Sequence, residues 1–424
     1  MTLTPQRRTT QAPSSFRRAL FLAPVLSLAL TSLSTPASAQ SATPAPPAPA
    51  ATAAPAAAAP SPLPTPSLTG PLQWLPPAVF DVGPLGKLSA NGIVSGMGLY
   101  QDNHVPGDNI GQATLSNGEL FVQKADGPVQ YFIQVGAYSI PALATPFLSA
   151  ADTVKDFFGP VPVAFLKLPV GKTTSLQIGA LPTLMGAEST FTFQNMNVER
   201  GLLWNQENAV NRGIQINQTL GKYFTASLSW NDGYYSNRYS WLSGSLTFTK
   251  GVHSLAFEGM GNAGSTKFQT AATPVQNNSS MYAVIYTYTK GSWIIQPYYQ
   301  FSDVPTDARV GVTQGATTNG GALLLSYAFK HGFSLPARVE YIATSGSNAN
   351  GAVNLLFGPG SDGTSVTVTP TWQKGALFVR GDLSWVHAGS YTTGDAFGTQ
   401  GEAPNQMRAV AEIGIIFGSN ITGK

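Results

Sequence analysis

Short segments with alternating apolar and polar residues make up most of the chain. From residue 87 onward, many segments of about 8 to 13 residues follow the two-residue period of a β-strand. No apolar run reaches the roughly 18 residues that a membrane-spanning helix requires. The pattern therefore predicts an all-β fold.

Turns of two different lengths separate these segments. Seven are short and contain glycine, which supplies the positive φ of tight hairpins: 125–127, 171–172, 221–222, 250–251, 290–291, 330–332 and 374–375. Eight are long and polar: 101–112, 138–160, 183–209, 231–238, 262–279, 303–319, 345–362 and 389–405. Short turns at one end and long loops at the other are typical of outer-membrane barrels, with the turns on the periplasmic side. The count predicts sixteen strands, while fourteen or eighteen stay open because strands 1, 2 and 14 are weakly patterned.

Charged residues within the predicted strands fall on the less apolar face. An arginine facing lipid at mid-membrane costs about 2–4 kcal/mol, so charges in a membrane barrel belong on the inside. A soluble β-sandwich also alternates, but its outer faces would carry many lysines and glutamates. We therefore predict a transmembrane antiparallel β-barrel whose lumen-facing charges include Arg338, Glu340, Arg380, Asp382, Arg408 and Glu412.

The hairpin at residues 281–302 gives a second test of the faces. Trp293, Ile295, Tyr299 and Phe301 share one parity, which predicts contact with lipid, whereas Gln296 and Gln300 lie on the other. Aromatic residues near strand ends predict interfacial girdles, namely Tyr282, Trp293, Phe301, Phe329, Trp385 and Phe417. Pro297 removes a ladder donor, and we expect a β-bulge there.

The composition agrees with export to a membrane. Only 10% of the 424 residues are charged, against about 25% in soluble proteins. The net charge of +3 and the lack of basic clusters argue against a nucleic-acid partner. The absence of cysteine excludes disulfides, thiolate-metal sites and cysteine nucleophiles.

The N-terminal region predicts a secretion signal followed by a spacer. Four arginines precede an apolar run at 19–30 and an A-x-A site at 37–39. We expect a signal peptide at 1–39, a Pro/Ala-rich periplasmic linker at 40–67, a short periplasmic lead-in at 68–86, the barrel at 87–417 and a tail at 418–424.

The longest loop carries the strongest candidate site. Residues 183–209 contain Glu188, Glu199, Arg200 and Glu207, and rings of charge at a narrow point set the selectivity of aqueous pores. We predict that this loop folds into the lumen as a constriction; a solvated external loop is the alternative. The four scattered histidines lack metal-ligand spacing, and no catalytic or cofactor motif stands in its required context. We therefore expect no enzyme, metal or cofactor.

Three segments resemble the OmpL-like bacterial outer-membrane porins, the second beta-barrel porin family. They are LQIGALPTLMGAE at 176–188, NMNVERGLLWNQENAVNRGIQ at 195–215 and SLSWNDGYYSN at 227–237. The chain departs from that family's pattern at residues 231–234 and by extending beyond the terminal aromatic Phe417. The resemblance implies an outer-membrane barrel that passes small solutes.

The sequence is compatible with two functions. The first is passive diffusion of small hydrophilic solutes or ions through a polar lumen, in contact with outer-membrane lipid. The alternative is an adhesin or binding barrel with a closed lumen, acting through its long external loops. Porins with this strand number are often trimers, so a homotrimer is also considered.

Overall fold

A computed structural model describes Leu63, residues 68–267 and residues 275–419. The predicted signal peptide, the linker apart from Leu63, and residues 420–424 of the tail lie outside this part of the chain. The strands are β1 Ala78–Asp81, β2 Lys87–Gln101, β3 Gly111–Lys124, β4 Gln130–Tyr138, β5 Val163–Val170, β6 Thr174–Pro182, β7 Val210–Leu220, β8 Phe224–Asn231, β9 Trp241–Lys250, β10 His253–Asn262, β11 Ser280–Lys290, β12 Trp293–Val304, β13 Ala316–Ala328, β14 Phe333–Thr344, β15 Asp362–Val368, β16 Thr371–Lys374, β17 Leu377–Ala388 and β18 Asn405–Phe417.

Helical segments are short. Among the described residues, one α-helix, α1, spans Ala150–Asp156, and 3₁₀ turns span Gly83–Leu85, Thr192–Gln194, Leu203–Gln206, Gln276–Asn278, Ala308–Val310 and Asn348–Asn350. Across the described ranges, no helix has the length and apolarity needed to cross a membrane.

The strands from β2 to β18 form one closed antiparallel barrel. Each strand pairs with its neighbours in sequence, and β18 closes the ring against β2, from Arg408 opposite Gln101 to Phe417 opposite Gly92. β15 and β16 are two halves of one barrel strand, because both pair with β14 and β17. Pro370, which has no N–H to donate, lies in the break between them. The ring therefore has sixteen strands, which confirms the predicted fold.

Connections between strands alternate between short turns and long loops, as the sequence predicted. In the hairpin from β11 to β12, Gly291 has a φ of 60°, and a Cβ there would meet nothing within 4 Å. Glycine is favoured at this position by backbone conformation alone, since left-handed φ strains other residues. In the described part of the chain, the long loops all leave the barrel at the opposite end.

The two faces of the strands differ as a membrane barrel requires. On β12, Trp293 and Tyr299 are exposed on the outside, while Gln296 and Gln300 are buried inside. Large apolar side chains recur on the outer face of almost every strand, and aromatic rings cluster near the short turns, as in the edge contacts of Tyr327 with Trp293 and Phe329. A lipid-facing apolar band with aromatic borders follows from this arrangement.

The predicted bulge at Pro297 is wrong. The register between β11 and β12 is the same on both sides of Pro297, with Ile285 opposite Tyr298 and Tyr288 opposite Ile295. The proline interrupts the ladder without inserting a residue, because only its donor is missing. A register shift occurs instead in β2, between Ser95 and Gly96.

Residues before the barrel pack against its inside. β18 pairs with β2 only from Gly92 onward. β1 pairs with the preceding residues of β2, so it extends the ring at the short-turn end. The Trp74 ring makes edge contacts with Phe121 of β3 and with Phe193 of the 183–209 loop. The backbone N–H groups of Thr69 and Gly70 both donate to the Gln194 carbonyl. This segment therefore connects the barrel wall to the long loop.

Candidate functional site

The 183–209 loop lies inside the barrel. It leaves the wall after Pro182 and returns at Val210, and nearly all of its residues from Met185 onward are buried. Many of its partners are inward-facing residues of β3, β14, β17 and β18. Residues of β10 and β12 also bond the loop. The loop therefore fills one side of the lumen.

Glu188 and Arg338 form the first connection between loop and wall. Glu188 Oε1 accepts a hydrogen bond from Arg338 Nη1 at 2.6 Å, and Glu188 Oε2 accepts one from the Gly201 N–H at 2.8 Å. Arg338 Nη1 also donates to the Glu199 carbonyl at 2.8 Å. Removing either side chain would leave the other one buried and charged without its partner, and this strongly destabilises a folded protein.

Glu340 holds the start of a 3₁₀ turn. Its carboxylate accepts hydrogen bonds from the N–H groups of Leu202 and Leu203, at 2.8 and 3.3 Å, and from the Ser365 hydroxyl at 2.6 Å. The N-terminal N–H groups of a helical turn lack partners within the turn, so a carboxylate there is stabilising. A Cβ at Gly201 would overlap the Glu340 carboxylate. Glycine therefore allows this close approach.

Arg380 binds the loop backbone. Its guanidinium donates to the carbonyls of Thr192, Asn195 and Met196, each at 2.9 Å. Glu412 lies 3.5 Å from Arg380 and accepts hydrogen bonds from Ser95, Asn117 and the Thr192 hydroxyl. The pair neutralises its own charge while fixing residues 192–196 of the loop.

Arg408 and Asp382 hold Glu199 from two sides. Arg408 Nη1 donates to Glu199 Oε1 at 2.9 Å and to the Ala142 carbonyl at 2.8 Å. Asp382 accepts a hydrogen bond from the Glu199 N–H at 2.7 Å and another from the Thr369 hydroxyl. All six predicted wall charges thus contact the loop or a residue that contacts it.

Arg200 and Glu207 are less completely bonded. Arg200 is fully buried, donates to the Val198 carbonyl at 3.3 Å and lies 5.5 Å from the Trp204 ring centre. Glu207 Oε1 accepts hydrogen bonds from the Tyr298 hydroxyl and from Gln300 Nε2. Together with Glu188 and Glu199, these side chains are each more than nine-tenths buried. In this conformation the four loop charges bond protein groups, and two of them, Glu188 and Glu207, also border cavities.

One cavity lies along the wall formed by β6 and β9 to β12. It has a volume of about 370 Å³ and separates the first part of the loop from these strands. Small polar side chains line it on the wall side, including Ser245, Ser254 and Thr287. Glu258 of β10 also lines it, and its Oε2 accepts a hydrogen bond from the Gly186 N–H at 2.8 Å.

Two inward-facing carboxylates were missed by the sequence analysis. Glu258 follows the lipid-facing Phe257, so the parity rule that selected Arg338 would have found it. Glu119 is buried and bonded to Gln134 Nε2 at 2.6 Å. Its strand carries apolar residues on both faces, with Leu120 outside and Phe121 inside. The alternation of apolar and polar residues is therefore too weak there to show which face is inward.

A closed sixteen-strand barrel with an apolar exterior and a polar interior defines the class of outer-membrane porins. The chain belongs to the family described as "Putative beta-barrel porin-2, OmpL-like", whose model matches residues 87–417. Membership confirms the family resemblance and assigns the protein to the bacterial outer membrane. It supports a channel and gives no support to the adhesin alternative.

Solved structures of low sequence identity share the fold. The chain is similar to the anion-selective porin from Comamonas acidovorans, with a TM-score of 0.54 and 12% identity over 78% of this chain and 99% of that one. It is also similar to the outer-membrane channel DcaP of Acinetobacter baumannii, with a TM-score of 0.55 and 10% identity over 80% and 100% of the two chains. OmpT of Vibrio cholerae in its trimer form gives a TM-score of 0.51 and 11% identity over 78% and 99%. No curated protein matches the sequence.

Proposed function

We propose that the barrel is a passive diffusion channel for small hydrophilic solutes or ions. The observation that carries this proposal is the space between the 183–209 loop and the β9–β12 wall, which polar side chains line in part. A barrel of sixteen strands is wide enough to hold an aqueous channel. Solutes would pass beside the loop, along the wall formed by Ser245, Ser254 and Thr287.

The loop is the constriction in this proposal. Glu188, Glu199, Arg200 and Glu207 act together with the wall charges by holding the loop in place, and the body of the loop narrows the lumen. Because these charges are buried and mostly paired, their effect on passing ions is indirect. The route itself is defined by the edge of the loop near Gly186 and by Glu258.

Glu258 favours cations over anions in the proposed route. Within the described part of the chain, no lysine or arginine lies within ion-pair distance of its carboxylate. An unpaired acidic side chain at a narrow point attracts cations and repels anions. Lys167, on the inner face near the short-turn end, opposes this effect but does not line the cavity.

The test is single-channel recording of the full chain in planar bilayers, with a KCl gradient. We expect stable open steps and, at a pH high enough to ionise the buried Glu258, a reversal potential on the cation-selective side. Glu258→Gln should lower the cation-to-anion permeability ratio about two- to threefold, because it removes the unpaired charge and keeps the side-chain shape.

Glu402→Gln provides the matched control. Glu402 is exposed in an external loop and lines neither the cavity nor the loop contacts, so its removal should leave the ratio unchanged. A correctly folded barrel that conducts no ions would contradict the diffusion-channel proposal. Equal shifts in both variants would instead show that external charge, and not Glu258, sets the preference.

Processing and assembly complete the proposal. Residues 1–39 would be removed as a signal peptide on export, 40–67 would form a periplasmic spacer leading into 68–86, the barrel domain would span 87–417, and 418–424 would follow it as a tail. N-terminal sequencing of protein from outer membranes tests the cleavage. A homotrimer is proposed by analogy with the trimer form of Vibrio cholerae OmpT, and cross-linking in native membranes tests it.

A further inference from the structure

The inner wall of the barrel differs between its two sides at the short-turn end. On β7 to β9, inward-facing residues near the turns are polar and exposed, as at Thr219, Thr225 and Thr249. On β2 to β4, β17 and β18, several inward-facing residues at this end are large, apolar and at most 1% exposed. They are Ile93, Phe121, Phe132, Phe378 and Ile416. Water-filled barrel interiors are polar, so this apolar side has to be covered.

The segment before β1, residues 68–77, covers these apolar side chains. Leu72 is 2% exposed and belongs to the same buried cluster as the five wall residues, and Trp74 and Leu75 pack against that cluster. The Trp74 ring centre lies 5.2 Å from that of Phe121 and 5.4 Å from that of Phe193. The ring therefore fills the space between the wall and the 183–209 loop.

Hydrogen bonds fix the same segment to the mouth of the barrel. The Leu75 carbonyl accepts one from Asn91 Nδ2 of β2 at 3.1 Å. The backbone of Gln73 exchanges two with the Gln373 side chain of β16, at 2.8 and 2.9 Å. Backbone groups need partners wherever they leave water, and here the wall supplies them on both sides of the point where β18 meets β2.

The start of the segment reaches the narrow part of the lumen. The Thr69 N–H and hydroxyl both donate to the Gln194 carbonyl, at 2.8 and 2.9 Å. A Cβ on Gly70 would lie 2.1 Å from the Asn195 carbonyl oxygen, so only glycine allows the two backbones to approach this closely. Thr69 also lines the cavity of about 370 Å³, beside Gln194. The segment therefore forms part of the boundary of that space.

We propose that residues 68–77 are an internal stopper. The stopper closes the short-turn mouth along β2 to β4, β17 and β18, and with the 183–209 loop it confines solutes to the side formed by β7 to β12. The constriction then consists of two segments, one preceding the barrel and one within it. The effect on solutes rests on the proposed channel function, whereas the position of the stopper can be measured in a barrel that does not conduct.

Cysteine labelling measures that position. The chain has no cysteine, so Leu72→Cys and Gln73→Cys each place a single thiol in the full chain. Folded in detergent, each variant is treated with a charged methanethiosulfonate. Leu72 is buried and Gln73 is exposed, so Leu72→Cys should react at least about tenfold more slowly. Both should react at the same rate after heating in SDS. Equal rates in the folded chain would overturn the stopper.

Gly70→Ala tests the effect of the stopper on the channel. The added methyl group has to push the stopper away from the loop backbone. Combined with Leu72→Cys, it should speed labelling about fivefold or more, and alone it should raise single-channel conductance about 1.5-fold. Gly98→Ala is the matched control, because a Cβ on this lipid-facing residue of β2 would meet only the Gln112 carbonyl, at 3.9 Å. It should change neither quantity.

Trp74→Ala provides a second route to the same displacement. It removes the ring between wall and loop and should act in the same direction, even if Gly70→Ala fails to fold. Folding of each variant is checked by heat-modifiable mobility in gels. Faster labelling with unchanged conductance in both variants would overturn the claim that the stopper narrows the route. A barrel that conducts no ions but still protects Leu72→Cys would contradict the channel alone.

Discussion

The two sides of the lumen carry different chemistry. The side formed by β14 to β18 and β2 presents arginines and carboxylates, and each of the six charges predicted there is bonded in a network with the 183–209 loop. The side formed by β9 to β12 presents mainly small polar groups, with Glu258 as its acidic member. Charge in this lumen therefore serves mostly to hold a loop, and the side with few charges borders the cavity.

This division has an energetic reason. Buried ion pairs barely repay the desolvation of their charges, so they add little net stability but make the loss of one partner expensive. Such pairs fix a loop in one position. Serine and threonine have small, uncharged side chains, so they leave a wall that solutes can pass.

The largest effect is expected on the charged side, from Arg380→Gln. The change removes most of the donors to three loop carbonyls and leaves Glu412 without its nearest cation. Breaking a buried pair in this way costs about 3–5 kcal/mol. Urea unfolding in lipid or detergent should report that loss, and single-channel conductance should rise because the loop is released.

Arg309→Gln is the matched control for Arg380. Arg309 pairs with Asp307 at 2.7 Å in an external loop, and its side chain is 67% exposed. The Arg309 guanidinium is well solvated, and Asp307 keeps its hydrogen bonds from the Ser265 hydroxyl and from the N–H of residue 309. A solvated ion pair contributes at most about 1 kcal/mol, so stability should change little and conductance not at all. Equal losses in the two variants would contradict the anchoring role of Arg380.

A smaller effect is expected at the boundary between the two sides, from Gly186→Ala. Gly186 has a φ of 89°, and its N–H donates to Glu258. A Cβ there would overlap the Glu207 carboxylate, so both the backbone and Glu207 must move. We expect a loss of about 1–3 kcal/mol in urea unfolding, together with broader current fluctuations.

Gly291→Ala separates the two causes of the loss at Gly186. Gly291 also has a positive φ, but a Cβ there meets no other atom. Its replacement should cost only the backbone strain of a left-handed residue, about 1 kcal/mol. If both variants lose the same stability, the contact with Glu207 contributes nothing.

The sequence predicts the barrel well and the loop network poorly, for physical reasons. Side-chain parity and turn length are local properties, so the faces and the sixteen strands can be inferred from neighbouring residues. The partner of Glu188 is Arg338, which is 150 positions away in the chain. No local pattern relates two such residues. Alternation could identify Arg338 as inward-facing, but it could not show that its guanidinium forms an ion pair with Glu188.

Pro297 illustrates the same limit on a smaller scale. A proline in a strand reveals the loss of one donor, and this was correctly inferred from the sequence. The response of the ladder depends on both neighbouring strands. Pairing with β13 continues through Pro297 opposite Leu323, so the register is maintained from that side and no bulge forms.

The smallest effect on stability is expected on the open side, from Ser245→Phe. Ser245 of β9 lines the cavity opposite the loop, so a phenyl ring there enters free space and displaces no packed side chain. The free energy of unfolding should change by about 0.5 kcal/mol or less, while single-channel conductance should fall sharply. Leu246→Phe introduces the same ring at the adjacent lipid-facing position and should leave both quantities unchanged. Unaltered conductance in Ser245→Phe would mean that solutes do not pass along this wall, and the route would then have to cross the charged side.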